Sequence, residues 1–293
     1  MCLIAWNWQP DSSTPLLLIA NRDEFYARPT APLAWWVDAQ ILAGRDLQAG
    51  GTWLGVSQSG RLAALTNHRN PADMRTDAPS RGELVSTFLS GDMSAQDYLA
   101  QLAPQAANYN PFNLLVYDGS SLLGLESRNE RIVNFEAGVG AVSNADFETP
   151  WPKLAALKSR LRAVLDRGEV DDAQLLDMLY DRSLAADGDL PSTGIPLDLE
   201  RSLSATFVHL PDYGTRACSL VRMDRNVVRF VEQSFDVSGE RGTVEMNLAL
   251  KGGVQPVEAD SKAKCCARLT SRLCPTDTSG STSPSSPDRA PKR

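Results

Sequence analysis

A chain of 293 residues, 42% hydrophobic and 22% charged, can bury a sizeable core as one large domain or two small ones. Its formal net charge of −7 excludes a general electrostatic footprint for nucleic acid or anionic membrane. The apolar runs are strand-sized, no basic start leads into a long apolar segment, and five cysteines show neither a disulfide framework nor metal-ligand spacing. The expectation is a cytoplasmic chain with no transmembrane segment, no signal peptide and no metal site.

Two strand-like runs open the chain, Met1 to Trp6 and Leu16 to Glu24, joined by the turn Gln9-Pro10-Asp11-Ser12-Ser13. Pairing as a hairpin returns the polar end of the second, Asn21-Arg22-Asp23-Glu24, to the start of the first, where Cys2 lies. Removal of Met1 leaves Cys2 with a thiol and a free α-amine, whose unperturbed pKa of roughly 7.7–8 makes it a usable base at neutral pH. A nucleophile activated by its own amine is a known route to covalent catalysis, and a thiolate beside Arg22 is favoured by charge. The alternative reading is a small strand cysteine beside a solvated turn.

A Pro- and Trp-rich loop through Trp36 follows, then Leu42 to Asp46. Thr52 to Ser57, the turn Gln58-Ser59-Gly60 and Arg61 to Asn67 read as a hairpin. Ser80-Arg81-Gly82-Glu83 has capping-box spacing ahead of a helix, and a second short helix runs from Met93 to Leu102. Strands return at Asn113 to Tyr117, Ser121 to Leu125, Arg131 to Phe135 and Gly138 to Asn144. Lys153 to Asp166 carries Leu154, Leu157, Leu161 and Leu165 at helical period, and Asp171 to Leu184 reads as a further helix. A Pro/Gly-rich connector leads to strands near Ala205 to Leu210, Arg216 to Met223 and Val227 to Gln233. Strands joined by hairpin turns, with helices in pairs between them, predict an α+β layered sandwich of mainly antiparallel sheets. Neither a strand-linked GxGxxG nor a P-loop is present to bind nucleotide. From Lys251 the composition turns to Ser, Pro and Thr with 8 basic and 4 acidic residues, which predicts a domain over 1–250 and a disordered tail over 251–293.

Several blocks are specific enough to carry a resemblance. Cys2, Asn21-Arg22-Asp23-Glu24-Phe25, Gly50-Gly51-Thr52-Trp53-Leu54-Gly55, Leu62 to Asn67, Arg81-Gly82-Glu83-Leu84, Tyr109 to Leu114, Ser143-Asn144 and Tyr213-Gly214-Thr215-Arg216 are colinear over roughly residues 1–240. In these the chain resembles the NRDE family, that of the transport and Golgi organisation protein 2. That family in turn resembles the cysteine branch of the N-terminal-nucleophile hydrolases, which implies a four-layer αββα sandwich. The resemblance implies Cys2 as nucleophile, Arg22 and Asp23 holding its thiol and amine, Asn67 and Asn144 as oxyanion and orientation residues, and Arg216 as a charge partner. Asn21, Glu24, Trp53 and His68 complete the expected ligand-binding set. Because Arg22 and Asp23 are adjacent, their side chains leave a regular strand on opposite faces, so bringing both to Cys2 calls for a turn or bulge at Asn21.

Two functions are consistent with these residues. One is hydrolysis or transfer of an acyl or amide small molecule through Cys2, with no cofactor required. The other is a non-enzymatic carrier on the same scaffold, with haem or an acyl lipid as cargo, as the family's links to haem trafficking and acyl-CoA homeostasis imply. His68 and His209 are the two histidines available to ligate haem iron.

Overall fold

The structure, a computed structural model, describes residues 2–168 and 170–251. Of the expected tail only Lys251 falls among them; Cys265, Cys266 and Cys274 lie outside the described residues.

The opening runs form β1 (Cys2–Trp8) and β2 (Leu16–Phe25), paired antiparallel with Cys2 directly opposite Arg22. Next come β3 (Thr30–Trp36), β4 (Ile41–Asp46), β5 (Leu54–Ser57) and β6 (Leu62–Asn67), then the helices α1 (Gly82–Ser90) and α2 (Ala95–Leu102). A second group of strands follows: β7 (Phe112–Tyr117), β8 (Leu122–Glu126), β9 (Arg131–Asn134) and β10 (Gly138–Val142). After α3 (Pro152–Asp166), α4 (Asp172–Asp177) and α5 (Leu197–Ser202) the chain closes with β11 (Tyr213–Met223), β12 (Val227–Asp236) and β13 (Gly239–Ala249).

The strands make two antiparallel sheets, one six-stranded in the order β10-β1-β2-β11-β12-β13, the other seven-stranded from β3 to β9 in sequence order. Period-two alternation sends each strand's apolar residues to two different cores. Between the sheets, Ile4, Trp6, Leu16 and Leu18 meet Leu42, Leu54, Leu62 and Leu115. On the outer face of the seven-stranded sheet, Ile41, Ala63 and Leu114 pack under Val85, Phe88 and Leu99 of α1 and α2. On the other outer face, Leu3, Ala5, Leu17 and Ile19 lie under Leu154, Leu157 and Leu161 of α3 and Leu175 of α4. The result is the expected αββα sandwich.

Local expectations differ from the structure in four places. The loop expected through Trp36 is the edge strand β3, where Pro32 is tolerated because the register slips between Ala31 and Ala34. The capping box at Ser80 does not close: Arg81 is the N-cap without a side-chain bond, and the Glu83 carboxylate accepts from Tyr109 Oη at 2.7 Å instead. The helix expected to Leu184 stops at Asp177, continuing only as one 3₁₀ turn, Met178–Tyr180. The backbone turns extended at Asp181, whose carbonyl accepts from Phe207 N–H at 2.8 Å. The strand expected at Ala205 to Leu210 contracts to a bridge between His209 and Gly214, since Val208 exchanges bonds with Thr215 across a tight reversal.

Candidate active site

The start of β1 and the ends of β2, β4 and β6 meet at one rim of the sandwich and enclose a cavity of about 360 Å³. Cys2, Arg22, Asp23, Glu24, Trp53 and Asn67 all line it, with Arg28, Asp46, Thr52, Arg75 and Arg81. Cys2 shares the parity of Ile4 and Trp6, so its side chain faces between the sheets, and the residue is 8% exposed. Burial is the main cause that pushes its thiol up; the terminal ammonium and Arg22 oppose the rise, Asp23 and Glu24 add to it. The thiol is therefore protonated at neutral pH and needs a base to become a nucleophile.

Arg22 and Asp23 leave β2 on opposite faces, as adjacent strand residues must. The bulge expected at Asn21 is absent; β2 runs unbroken there, pairing Asn21 with Leu3 on one side and Cys218 on the other. The irregularity lies instead on β11, between Thr215 and Ala217. Both side chains still line the cavity because it wraps the end of the sheet. Arg22 points between the sheets, its guanidinium 4.3 Å above the Trp53 ring, 3.6 Å from Asp46 and 3.8 Å from Glu24. Asp23 turns to the helix side, where Thr215 Oγ1 donates to Oδ1 at 2.7 Å and Lys153 Nζ stands 3.9 Å from Oδ2.

Lys153 is the principal residue that the sequence reading missed. It is 4% exposed, and its ammonium has no hydrogen-bond partner among the described residues. Burial pulls its pKa down to about 8 despite the opposing attraction of Asp23. A signal was available, since Lys153, Leu157, Leu161 and Val164 share the buried face of α3.

Four other expected residues are placed differently. Asn144 is fully buried, and its amide donates to the Asn67 carbonyl at 2.8 Å; it supports the residue lining the cavity and does not line it itself. Asn21 is also fully buried, donating to the carbonyls of Leu179 and Thr206 at 2.8 Å under the helices, so it is no ligand contact. Arg216 sits on the β11 bulge with its guanidinium donating to the carbonyls of Phe25, Tyr26, Arg28 and Phe235, and it lines a different cavity. His68 lines a neighbouring groove, its Nε2 3.9 Å from Asp146; burial and Arg128 hold its pKa below the usual histidine value.

The Gly50-Gly51-Thr52 run is explained by packing at the cavity wall. A Cβ on Gly51 would lie 2.4 Å from the carbonyl carbon of Gly82, the first residue of α1 and itself a cavity residue. Backbone cannot yield as a flexible side chain can. Gly51→Ala is expected to lose about 1–3 kcal/mol by overpacking and to displace Arg81. Urea denaturation checks the first outcome, and wild-type stability in the variant would disprove it.

The sequence model described as Transport and Golgi organisation 2 matches residues 1–237. The chain belongs to that family. It is 36% identical over 257 residues to the Transport and Golgi organization protein 2 homolog of Bos taurus, covering 80% of this chain and 93% of that one. It is 28% identical over 293 residues to Transport and Golgi organization protein 2 of Drosophila melanogaster, covering 87% and 100%. Among solved structures it is similar to the C2A mutant of conjugated bile acid hydrolase from Clostridium perfringens, with a TM-score of 0.48 and 10% identity over 85% of this chain and 92% of that one. An N-acylethanolamine-hydrolyzing acid amidase ortholog of Caenorhabditis elegans gives a TM-score of 0.42 and 10% identity over 61% and 86%. Among the described residues of this family member, no helix is long and apolar enough to cross a membrane, and no group of three or more His, Cys, Asp and Glu is arranged to hold a metal ion.

Proposed function

We propose that this family member is a cysteine-dependent amide hydrolase or acyl transferase, active once Met1 is removed. The observation that carries this reading is the meeting of Cys2, Arg22, Asp23 and Asn67 at one cavity from three separate strands. The Cys2 α-amine takes the thiol proton, and sulfur attacks the carbonyl carbon of the substrate. The negative charge that develops on oxygen is met by the Asn67 amide. Collapse breaks the acyl bond, the leaving group takes the proton from the amine, and a thioester remains on Cys2. Water then hydrolyses it to the acid, or a second nucleophile accepts the acyl group. Arg22 stabilises the thiolate, and Asp23, held by Thr215 and Lys153, orients the amine. A free thiol at Cys2 fits a reducing compartment, and we assign the protein to the cytoplasm.

A second reading, carriage of an acyl lipid or haem, is favoured by an adjoining groove of about 560 Å³. It shares Glu24, Arg28, Asn67 and Arg81 with the Cys2 cavity and adds the apolar side chains of Phe25, Met74, Leu199, Leu203 and Leu210. His68 lines the same groove and is the side chain that would meet haem iron there.

The test uses the full chain, its intact mass and acyl-amide and acyl-thioester substrates. The enzyme reading expects loss of Met1 and an acyl adduct on Cys2 that is absent in Cys2→Ala. Retention of Met1, or a haem Soret band unchanged in Cys2→Ala with no adduct on any substrate, would reject it for the carrier.

A further inference from the structure

Behind the Arg22–Trp53 stack lies a second cavity, of about 380 Å³, between β3 of one sheet and β11, β12 and β13 of the other. Arg22 and Trp53 line both cavities, and the rest of its wall takes no part in the Cys2 chemistry. Its wall contains Glu232, a carboxylate on the inter-sheet face of β12, between the core residue Phe230 and Ser234. Glu232 is 1% exposed, yet among the described residues it makes one hydrogen bond. Its Oε1 accepts from Leu33 N–H at 2.7 Å, where β3 slips out of register with β4. Its Oε2 has no partner among the described residues.

The charges around Glu232 show what this carboxylate lacks. From β2, Arg22 lies against Asp46 and Glu24. From β11, Arg216 is spent on main-chain carbonyls. From β13, Arg241 pairs with Asp236 of β12 at 3.2 Å. The facing stretch of β3, Thr30, Ala31 and Pro32, carries no charge. Each arginine at the cavity thus has its own acceptors, and among the described residues Glu232 has no ion-pair partner. A buried carboxylate with an unmet oxygen is unfavourable unless it takes up a proton or something that enters the cavity completes it. The remaining wall, Trp53, Pro32 and Val244 beside the hydroxyls of Thr30 and Ser234, suits a short apolar stem.

We propose that this cavity is a binding site for a small primary-ammonium compound, whose N–H groups donate to Glu232 Oε2. A quaternary cation has no N–H to donate, and an alcohol has no charge to offset the carboxylate. In the empty cavity burial raises the Glu232 carboxyl to about 7, against the pull of Leu33 N–H and Arg22. An ammonium ion must displace that proton, so binding weakens as pH falls below 7, by about tenfold from pH 8 to pH 6. Binding at this site does not require the Cys2 thiol.

The experiment titrates the full chain with n-propylammonium chloride, followed by ligand-observed NMR, with n-propanol and tetramethylammonium as controls. Saturable binding of propylammonium alone is expected, about tenfold stronger at pH 8 than at pH 6. Cys2→Ala should retain it, and Glu232→Gln should weaken it about ten- to hundredfold, the range for losing a charged hydrogen bond. Ala31→Trp, on the edge strand, narrows the cavity without touching the carboxylate and should weaken binding in parallel; it decides the matter if Glu232→Gln does not fold. No saturable binding, equal binding to a folded Glu232→Gln, wild-type affinity in Ala31→Trp, or loss in Cys2→Ala would each overturn the proposal.

Discussion

Asn67→Ala is expected to slow formation of the Cys2 acyl adduct by about 10²- to 10³-fold, the usual loss when one oxyanion donor is removed. Asn67 is the last residue of β6 and lines the cavity. Its main chain is held independently, by pairing opposite Phe112 and by the 2.8 Å bond from Asn144 Nδ2 to its carbonyl. Truncation therefore removes the donor and leaves the strand in place. Asn144→Ala acts in the opposite way. It breaks that buried bond, costs about 1–3 kcal/mol of stability and slows the reaction only as far as Asn67 shifts. Timed intact-mass measurements and urea denaturation separate the two. An adduct rate for Asn67→Ala within threefold of wild type would remove Asn67 from the mechanism.

Lys153→Met is expected to stabilise the fold at pH 7 by up to roughly 3 kcal/mol while slowing adduct formation. Removing one partner of a buried ion pair ordinarily destabilises by about 3–5 kcal/mol, so the direction needs an argument. Here the nitrogen stands 3.9 Å from Asp23 Oδ2 without a hydrogen bond, whereas Asp23 keeps its bond from Thr215. Desolvation outweighs attraction, which is why the lysine pKa falls to about 8 from the ordinary 10.5. The folded state thus loses the lysine proton near pH 8, and the unfolded chain retains it to about 10.5. Between those values the unfolded chain binds more protons, so wild-type stability rises with pH relative to Lys153→Met. The advantage of the variant should shrink through that window and vanish near its upper end. Methionine preserves the stem volume and isolates the charge. Destabilisation of the variant by more than about 1 kcal/mol at pH 7 would show that attraction wins.

A lysine retained against stability fits a residue kept for the site. It stands beside Asp23 on the helix side of the sheet, on the face opposite to Arg22. The Gly51 contact has a similar logic, since the close approach of two backbones sets the position of Arg81 at the cavity wall.

Much of this was legible in the amino-acid order. The two apolar, strand-length runs at Cys2 to Trp6 and Leu16 to Ala20, with the turn between them, determined the opening hairpin, and the turns after Ser57 and Tyr117 determined the antiparallel neighbours. The family's motif blocks identified Cys2, Arg22, Asp23 and Asn67, which do come to one cavity. Local pattern suffices there because a strand-length apolar run and the chemistry of a turn are properties of a few consecutive residues. Tertiary structure alone decided which face each polar residue serves. Asn21 is buried under the helices by contacts to Leu179 and Thr206, more than 150 residues away in sequence. Arg216 is captured by the carbonyls of the β2–β3 connection, Lys153 is committed to Asp23, and Glu232 is closed over by the slipped edge strand β3. Each of those outcomes depends on which distant segment supplies the hydrogen bond or excludes the water, and neither is encoded in the residues on either side.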